Sequence, residues 1–333
     1  MASLAAGAWL YRTSAVSLGT VFLLFQYTAL LRRPLELIAD QLQRVQEAVA
    51  GVSRAAELLR LPRRVTGGGA RPLPPGPLEV VLDGVSFAYE GGSEALRDVS
   101  LRLAPGTVLG VVGRTGSGKT TLGRLLVRLA DPTAGTVGVG GADLRSARIE
   151  DVRARIGFVP QEVHLFGASL RDNLTLFGAH PAGDGELAGA LDGLGLGPWW
   201  RALPDGLDTM LTSGGTGASA GEAQLVAFAR VFLRDPGLVV LDEASSRIDP
   251  VTQARVQRAM DHLLAGRTAA VIAHRLSTLD RADQVLVLED GLVVEHGGRP
   301  ALAIDPSTWF ARMLGAERRG GRVPVEAGDG QAW

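Results

Sequence analysis

A glycine-rich run with a single lysine is the first feature of the sequence that could do chemistry. It reads Gly113-Arg114-Thr115-Gly116-Ser117-Gly118-Lys119-Thr120, between an apolar segment (108–112) and a segment with helical character (121–130). Glycines between a strand and a helix let backbone N–H groups surround phosphates at the helix N-terminus. The lysine ammonium neutralises the β and γ phosphates, and the threonine hydroxyl ligates Mg²⁺. The pattern predicts a nucleotide-phosphate site that extends to Thr121.

The composition of the chain sets Lys119 apart. Of the 34 lysine and arginine residues, only Lys119 is a lysine. An ammonium is a compact point charge, whereas the arginine guanidinium is a broad planar fork. Because arginine is used at every other basic position, the lysine here favours phosphate binding over an ordinary glycine-rich turn.

A second apolar run supplies acids for the metal. Residues 238–241 are apolar and lead directly into Asp242 and Glu243. We expect Asp242 to hold Mg²⁺ with its water shell and Glu243 to polarise the attacking water. Two acids at the end of a strand are common on protein surfaces, so this interpretation depends on the glycine-rich run. We expect the acids to lie on a strand that neighbours it.

These motifs together resemble the nucleotide-binding domain of ABC transporters, and the match extends over most of residues 78–314. The resemblance implies an α/β P-loop NTPase fold, the cofactors ATP and Mg²⁺, and ATPase activity. It also assigns four side chains by the contact each makes in the family: Tyr89 with adenine, Gln161 with the metal and the membrane domain, His274 with the γ-phosphate, and Asp249 across the dimer. Any one of them alone would be an ordinary packing or surface residue, and their joint order supports the assignment.

The diagnostic signature of that family is altered. Where the family has L-S-G-G-Q, this chain has Ala218-Ser219-Ala220-Gly221-Glu222. Ser219 and Gly221 match, so a helix N-terminus with a hydroxyl and backbone amides can still face a phosphate. An acid at position 222 should weaken ATP binding unless its side chain points away from the nucleotide.

The altered signature leaves two alternatives for the partner, a second ABC subunit in either case. In an asymmetric heterodimer, the glycine-rich run of this chain would meet an intact signature and form the hydrolysing site. In a homodimer, the variant signature would simply be tolerated.

The elements before the nucleotide domain predict a membrane helix and a stalk. Residues 13–31 contain no charge and precede Arg32 and Arg33, which predicts a transmembrane helix at about 13–31. A secretory signal peptide and a buried soluble helix are the competing interpretations. After Pro34, apolar residues recur at steps of three and four, which predicts a stalk (35–61) that packs on a partner helix. The members of this apolar stripe are Leu35, Ile38, Leu42, Val45, Val49, Val52, Ala56 and Leu59.

The rest of the chain is an α/β pattern with a linker before it and a tail after it. Residues 62–77 are rich in glycine and proline and predict a linker, 78–315 form the nucleotide-binding domain, and 316–333 predict a disordered tail. Continuous apolar runs such as 108–112 and 238–241 are typical of strands buried in a mostly parallel sheet. The net charge of −1 gives no field for nucleic acid, and the absence of cysteine excludes disulfides and thiolate metal sites.

A membrane helix fused to a nucleotide domain resembles an ABC exporter. We expect residues 1–61 to be the C-terminal part of an exporter membrane domain in a chain truncated at its N-terminus, with the nucleotide domain in the cytoplasm. Three functional classes stay open: an export subunit, an ABC ATPase without a transport role, and a regulatory ATP-binding module with low turnover. The export substrate is unidentified, and drugs, lipids and peptides are all compatible.

Overall fold

The computed structural model describes most of the chain in several stretches. These are Trp9, Arg12, residues 17–60, Val65, Gly69, and residues 71–211, 219–242, 250–273 and 275–318. The chain separates into two units, Met1–Arg63 and Arg64–Trp333.

The first unit is dominated by one helix, α1 (Leu18–Arg60), which is 43 residues long. It covers residues 35–60 of the predicted stalk and residues 18–31 of the predicted membrane helix as one element. Pro34 lies inside it, and because proline has no N–H, one hydrogen bond of the helix is missing there. The large side chains of the apolar stripe are exposed. Within the described residues, no helix combines the length and apolarity needed to cross a membrane.

The second unit alternates strands and helices. In chain order, its strands are β1 (Val80–Ala88), β2 (Glu94–Leu103), β3 (Val108–Gly113), β4 (Ala134–Val139), β5 (Ala142–Asp143), β6 (Ile156–Val159), β7 (Ala168–Ser169), β8 (Met210–Leu211), β9 (Leu238–Asp242), β10 (Thr268–Ile272), β11 (Gln284–Glu289) and β12 (Leu292–Gly298). Its α-helices are α2 (Lys119–Leu126), α3 (Ile149–Arg155), α4 (Leu170–Thr175), α5 (Asp184–Gly193), α6 (Gly197–Arg201), α7 (Ala220–Phe232), α8 (Pro250–Leu264), α9 (Arg299–Ile304) and α10 (Trp309–Arg318).

The central sheet has the order β12-β11-β3-β10-β9-β6. All neighbours in it are parallel except β12, which pairs antiparallel with β11 at one edge. Every residue of β9 and of β10 is buried, which confirms the mostly parallel sheet predicted from the continuous apolar runs. The expectation that β9 neighbours β3 is wrong, because β10 lies between them.

A second, antiparallel sheet with the order β2-β1-β4-β5 was not predicted from the sequence. One hydrophobic core contains side chains of this sheet, of α2 and of one face of the central sheet. A separate core lies against other side chains of the central sheet and contains α7, α8 and α10. The central sheet is therefore covered on both faces, as its apolar strands require.

Both ends of the second unit pack more than the sequence predicts. In the predicted linker, Leu73 is 7% exposed. The Arg155 side chain donates to the Pro74 carbonyl (3.2 Å) and the Gly76 carbonyl (2.6 Å), which attaches this stretch to the domain. Helix α10 runs three residues past the predicted domain end at 315, and Glu317 accepts a hydrogen bond from Leu276 N (3.2 Å). Residues 319–333 of the predicted tail lie outside the described residues.

Candidate functional site

The glycine-rich run connects β3 to α2 through a turn that only glycine can form at Gly118. Its φ is +98°, in the left-handed region, and a side chain there would collide with the Ala95 carbonyl and approach Leu96 Cδ2 to 2.7 Å. Helix α2 starts at Lys119, directly after this residue, and ends at Leu126, so it starts and ends earlier than the predicted 121–130. The first turn of the helix therefore follows the glycine-rich loop directly.

Lys119 is buried beneath the loop. Only 6% of the residue is exposed, and Nζ donates to the carbonyls of Gly113 and Arg114, both at 2.7 Å. Burial lowers the pKa of Lys119, and the charge of Asp242 offsets part of this shift. The ammonium is thus held by neutral carbonyls, which phosphate oxygens can replace as stronger acceptors.

A buried serine hydroxyl and the open top of the loop indicate an anion site. Ser117 is 2% exposed, and its Oγ has no hydrogen-bond partner within the described part of the chain. Residues 114–116 and Thr120 are exposed, so the top of the loop is open to a ligand. A buried hydroxyl without a partner costs free energy unless a ligand or water supplies one. The loop therefore fits an oxygen-rich anion.

Tyr89 lies beside the loop, one residue after β1. Its hydroxyl is 3.1 Å from Thr121 Oγ1 and accepts a hydrogen bond from Arg124 Nη1 (3.1 Å). Its ring packs edge-on against Phe87 with a centroid distance of 4.9 Å, and 40% of the residue is exposed. An aromatic face is available next to the phosphate loop, and Arg124, which helps to hold it, was missed in the sequence.

Asp242 ends strand β9, and Gln161 comes two residues after the end of strand β6. Ile272 of β10 pairs with Val111 of β3 on one side and with Asp242 on the other, so Asp242 is level with Val111, two residues before β3 ends at Gly113. It is 4% exposed and acts electrostatically on Lys119. Gln161 is exposed, two residues after Val159, where β6 pairs with β9. In parallel α/β sheets, ligands bind at the carboxyl ends of the strands.

Three predicted site residues cannot be placed. Glu243, Asp249 and His274 lie outside the described residues. The residue just before two of them is described: β9 ends at Asp242, before Glu243, and Ala273, before His274, donates its N–H to the Val111 carbonyl (3.0 Å). Their roles stay predictions.

The altered signature forms a regular helix start. Ser219 is the N-cap of α7, and its Oγ accepts from Glu222 N (3.3 Å) while its own N donates to Glu222 Oε2 (2.8 Å). Trp199 Nε1 donates to the other carboxylate oxygen, Oε1 (3.1 Å). The acid therefore folds back onto the helix start. The spacing S-x-x-E predicts this capping box, but Trp199 was missed because no local pattern links it to Glu222.

Comparison with known proteins agrees with this geometry. A family model described as ABC transporter matches residues 96–246. The chain is 36% identical over 290 residues to an uncharacterized ABC transporter ATP-binding protein of Bacillus subtilis, covering 86% of this chain and 48% of that protein. It is 38% identical over 314 residues to a multidrug efflux ATP-binding/permease protein of Mycobacterium bovis, covering 94% and 26%. It is 40% identical over 272 residues to an ATP-dependent lipid A-core flippase of Burkholderia thailandensis, covering 81% and 45%.

A solved structure is similar over nearly the whole chain. It is that of a bacterial Atm1-family ABC exporter with ATP bound, with a TM-score of 0.71 and 29% sequence identity. The match covers 97% of this chain and 56% of the exporter chain. The chain spans about half, or less, of the length of the curated relatives described above.

Proposed function

The chain carries the ATP-binding domain of the ABC transporters, an ATPase domain, and from this we propose that it is the ATP-hydrolysing subunit of an exporter. Its substrate is unidentified. The loop around Lys119 carries the proposal, because three consecutive residues, 117–119, supply a hydroxyl without a partner among the described residues, the N-cap of α2 and a buried ammonium. Relatives named as an efflux permease and as a flippase favour export over a non-transport ATPase.

ATP binding uses groups that the loop already contains. Lys119 Nζ exchanges the carbonyls of Gly113 and Arg114 for β- and γ-phosphate oxygens. Ser117 Oγ, which has no partner among the described residues, gains one, and the backbone N–H groups of the first turn of α2 complete the cradle. The ring of Tyr89 stacks on the adenine.

The residues around the loop fit Mg²⁺, a hard cation that prefers oxygen ligands. The Thr120 hydroxyl, the Asp242 carboxylate and the Gln161 amide oxygen would hold it together with the phosphates. When bound, Mg²⁺ neutralises charge that develops on the phosphoryl oxygens.

Hydrolysis then depends on residues that follow the strands. Glu243 orients and polarises the water that attacks the γ-phosphorus, and His274 donates to the γ-phosphate. Lys119 stays on the phosphates as negative charge shifts toward the leaving group. Ser219 and Gly221 of one subunit face the ATP that the other subunit's loop holds, and Asp249 has the role that the family resemblance implies, communication across the dimer.

Coupling to export requires a surface that senses the site. An open groove lies beside Gln161, and we infer that it receives a cytoplasmic segment of the membrane domain, which places the subunit at a membrane. Its lining combines apolar and basic side chains, which suit a helix with apolar and acidic side chains. The lining includes Val127, Leu129, Phe158, Pro160, Ala227 and Val231, with Arg153, Arg230 and Arg234.

The first test replaces Lys119 in the full chain in detergent. We expect Lys119→Ala to lower Mg-ATP turnover at least about 100-fold, because the positioned charge on the phosphates is lost. Steady-state phosphate release measures this. Arg102→Ala is the control, since it removes an exposed cation that pairs with Glu79 beside the antiparallel sheet. Turnover that survives in Lys119→Ala would contradict the proposed function.

A further inference from the structure

Two hydrogen-bond donors converge on one carboxylate at the start of α7. Trp199 Nε1 reaches Glu222 Oε1 (3.1 Å), and Ser219 N reaches Glu222 Oε2 (2.8 Å). Trp199 is 8% exposed and belongs to α6, more than twenty residues earlier in the chain. The contact therefore ties the helix start to a separate packed element.

The chemistry of this contact favours glutamate over glutamine at position 222. An indole N–H and a backbone N–H can only donate, and a carboxylate offers an acceptor oxygen to each of them. A glutamine has one acceptor oxygen and one NH₂ group, so one of the two donors would face another donor. The departure of Glu222 from the family's glutamine thus matches its surroundings.

We propose that Trp199 and Glu222 are positioning residues for the signature: together they fix Ser219 and the first turn of α7 where these meet the ATP phosphates of a second subunit. This inference rests on the proposed function. The Glu222 carboxylate is engaged by its two donors rather than directed at the nucleotide. The variant signature is therefore a working one, and a second copy of this chain can use it.

The test compares four variants of the full chain with the wild type. Trp199→Phe keeps the ring and removes the indole donor, and Glu222→Gln keeps the shape and removes one acceptor. The double variant combines them. Trp200→Phe is the matched control, because Trp200 is the next residue of the same helix and its Nε1 donates to Asp192 Oδ1 (3.2 Å) instead.

We expect Trp199→Phe and Glu222→Gln each to lower kcat for Mg-ATP about tenfold, the order expected for one hydrogen bond to a charged group. The Kd for ATP of the separated subunit should not change, since the Lys119 loop is untouched. The double variant should resemble Trp199→Phe alone, because without the indole donor the introduced glutamine can turn its one acceptor oxygen to Ser219 N. Trp200→Phe should match the wild type.

Three results would overturn the inference. A rise in kcat in Glu222→Gln would mean that the acid is a defect in the signature. A kcat for Trp199→Phe equal to that of Trp200→Phe would mean that the indole contact positions nothing, and losses that multiply in the double variant would mean that the two residues act separately. Absence of Mg-ATP turnover in the wild type would instead overturn the proposed function, and this inference with it.

Discussion

At the scale of single residues, Tyr89 shows how a surface ring is prepared for a ligand. Its hydroxyl is held by Thr121 and Arg124, and its ring packs against that of Phe87, while 40% of the residue stays exposed. These contacts fix the orientation of the ring before a base arrives, so little side-chain freedom remains to be lost on binding.

The role of this ring can be separated from that of its hydroxyl. We expect Tyr89→Ala to raise the Kd for ATP about tenfold, since a base stacked on an aromatic ring gains about 1–3 kcal/mol. Tyr89→Phe keeps the ring and should stay within about threefold of the wild type. Equilibrium binding of a fluorescent ATP analogue measures both. Equal losses in the two variants would show that the hydroxyl, and not stacking, matters.

At the scale of elements, the connection from β3 to α2 depends on how closely the loop passes the antiparallel sheet. Gly118 passes the backbone of β2 at a distance that excludes a side chain. Gly116 also has a positive φ, +86°, but a side chain there would point into open space. The two glycines thus differ in steric surroundings and share the same kind of backbone conformation.

This difference predicts unequal costs for the same substitution. We expect Gly116→Ala to lower the free energy of unfolding by about 1 kcal/mol, the strain of a left-handed alanine. Gly118→Ala should lower it by about 3 kcal/mol or more, because a clash with β2 is added to that strain. Thermal unfolding followed by circular dichroism compares the two. A larger loss in Gly116→Ala would contradict the loop geometry.

At the scale of the whole molecule, the proposed function assigns the signature and the phosphate loop of one chain to different ATP sites. Each chain offers one loop at Lys119 and one helix start at Ser219, so two copies can complete two sites. Because Glu222 is engaged by its own chain, we expect the homodimer rather than the asymmetric heterodimer.

The assembly can be trapped by blocking hydrolysis. We expect Glu243→Gln to reach twice the mass of the chain with Mg-ATP in sedimentation experiments, because ATP stays at the interface uncleaved. Lys119→Ala combined with Glu243→Gln is the control, since it does not hold the phosphates, and it should stay at the mass without nucleotide. A chain that remains monomeric with ATP would support the heterodimer.

The sequence by itself determined the features that local pattern encodes. The order of strand, glycine-rich turn and helix around Lys119, and the buried strand that ends at Asp242, follow from neighbouring residues. Backbone sterics and hydrogen bonding act over a few residues, so their signal is complete within a short window. The helix on the two sides of Pro34 also follows from local pattern, the uncharged apolar run before it and the apolar periodicity after it.

Only the tertiary structure decided which of these elements meet. In the structure, β10 lies between β3 and β9, and the antiparallel sheet packs close to the loop at Gly118. Helix α10 continues to Arg318, and Trp199 contacts Glu222. Such contacts join residues far apart in the chain, and their stability depends on shape and on partners that no local window contains. The chemistry of the acid at position 222 is for that reason set by an indole on another helix.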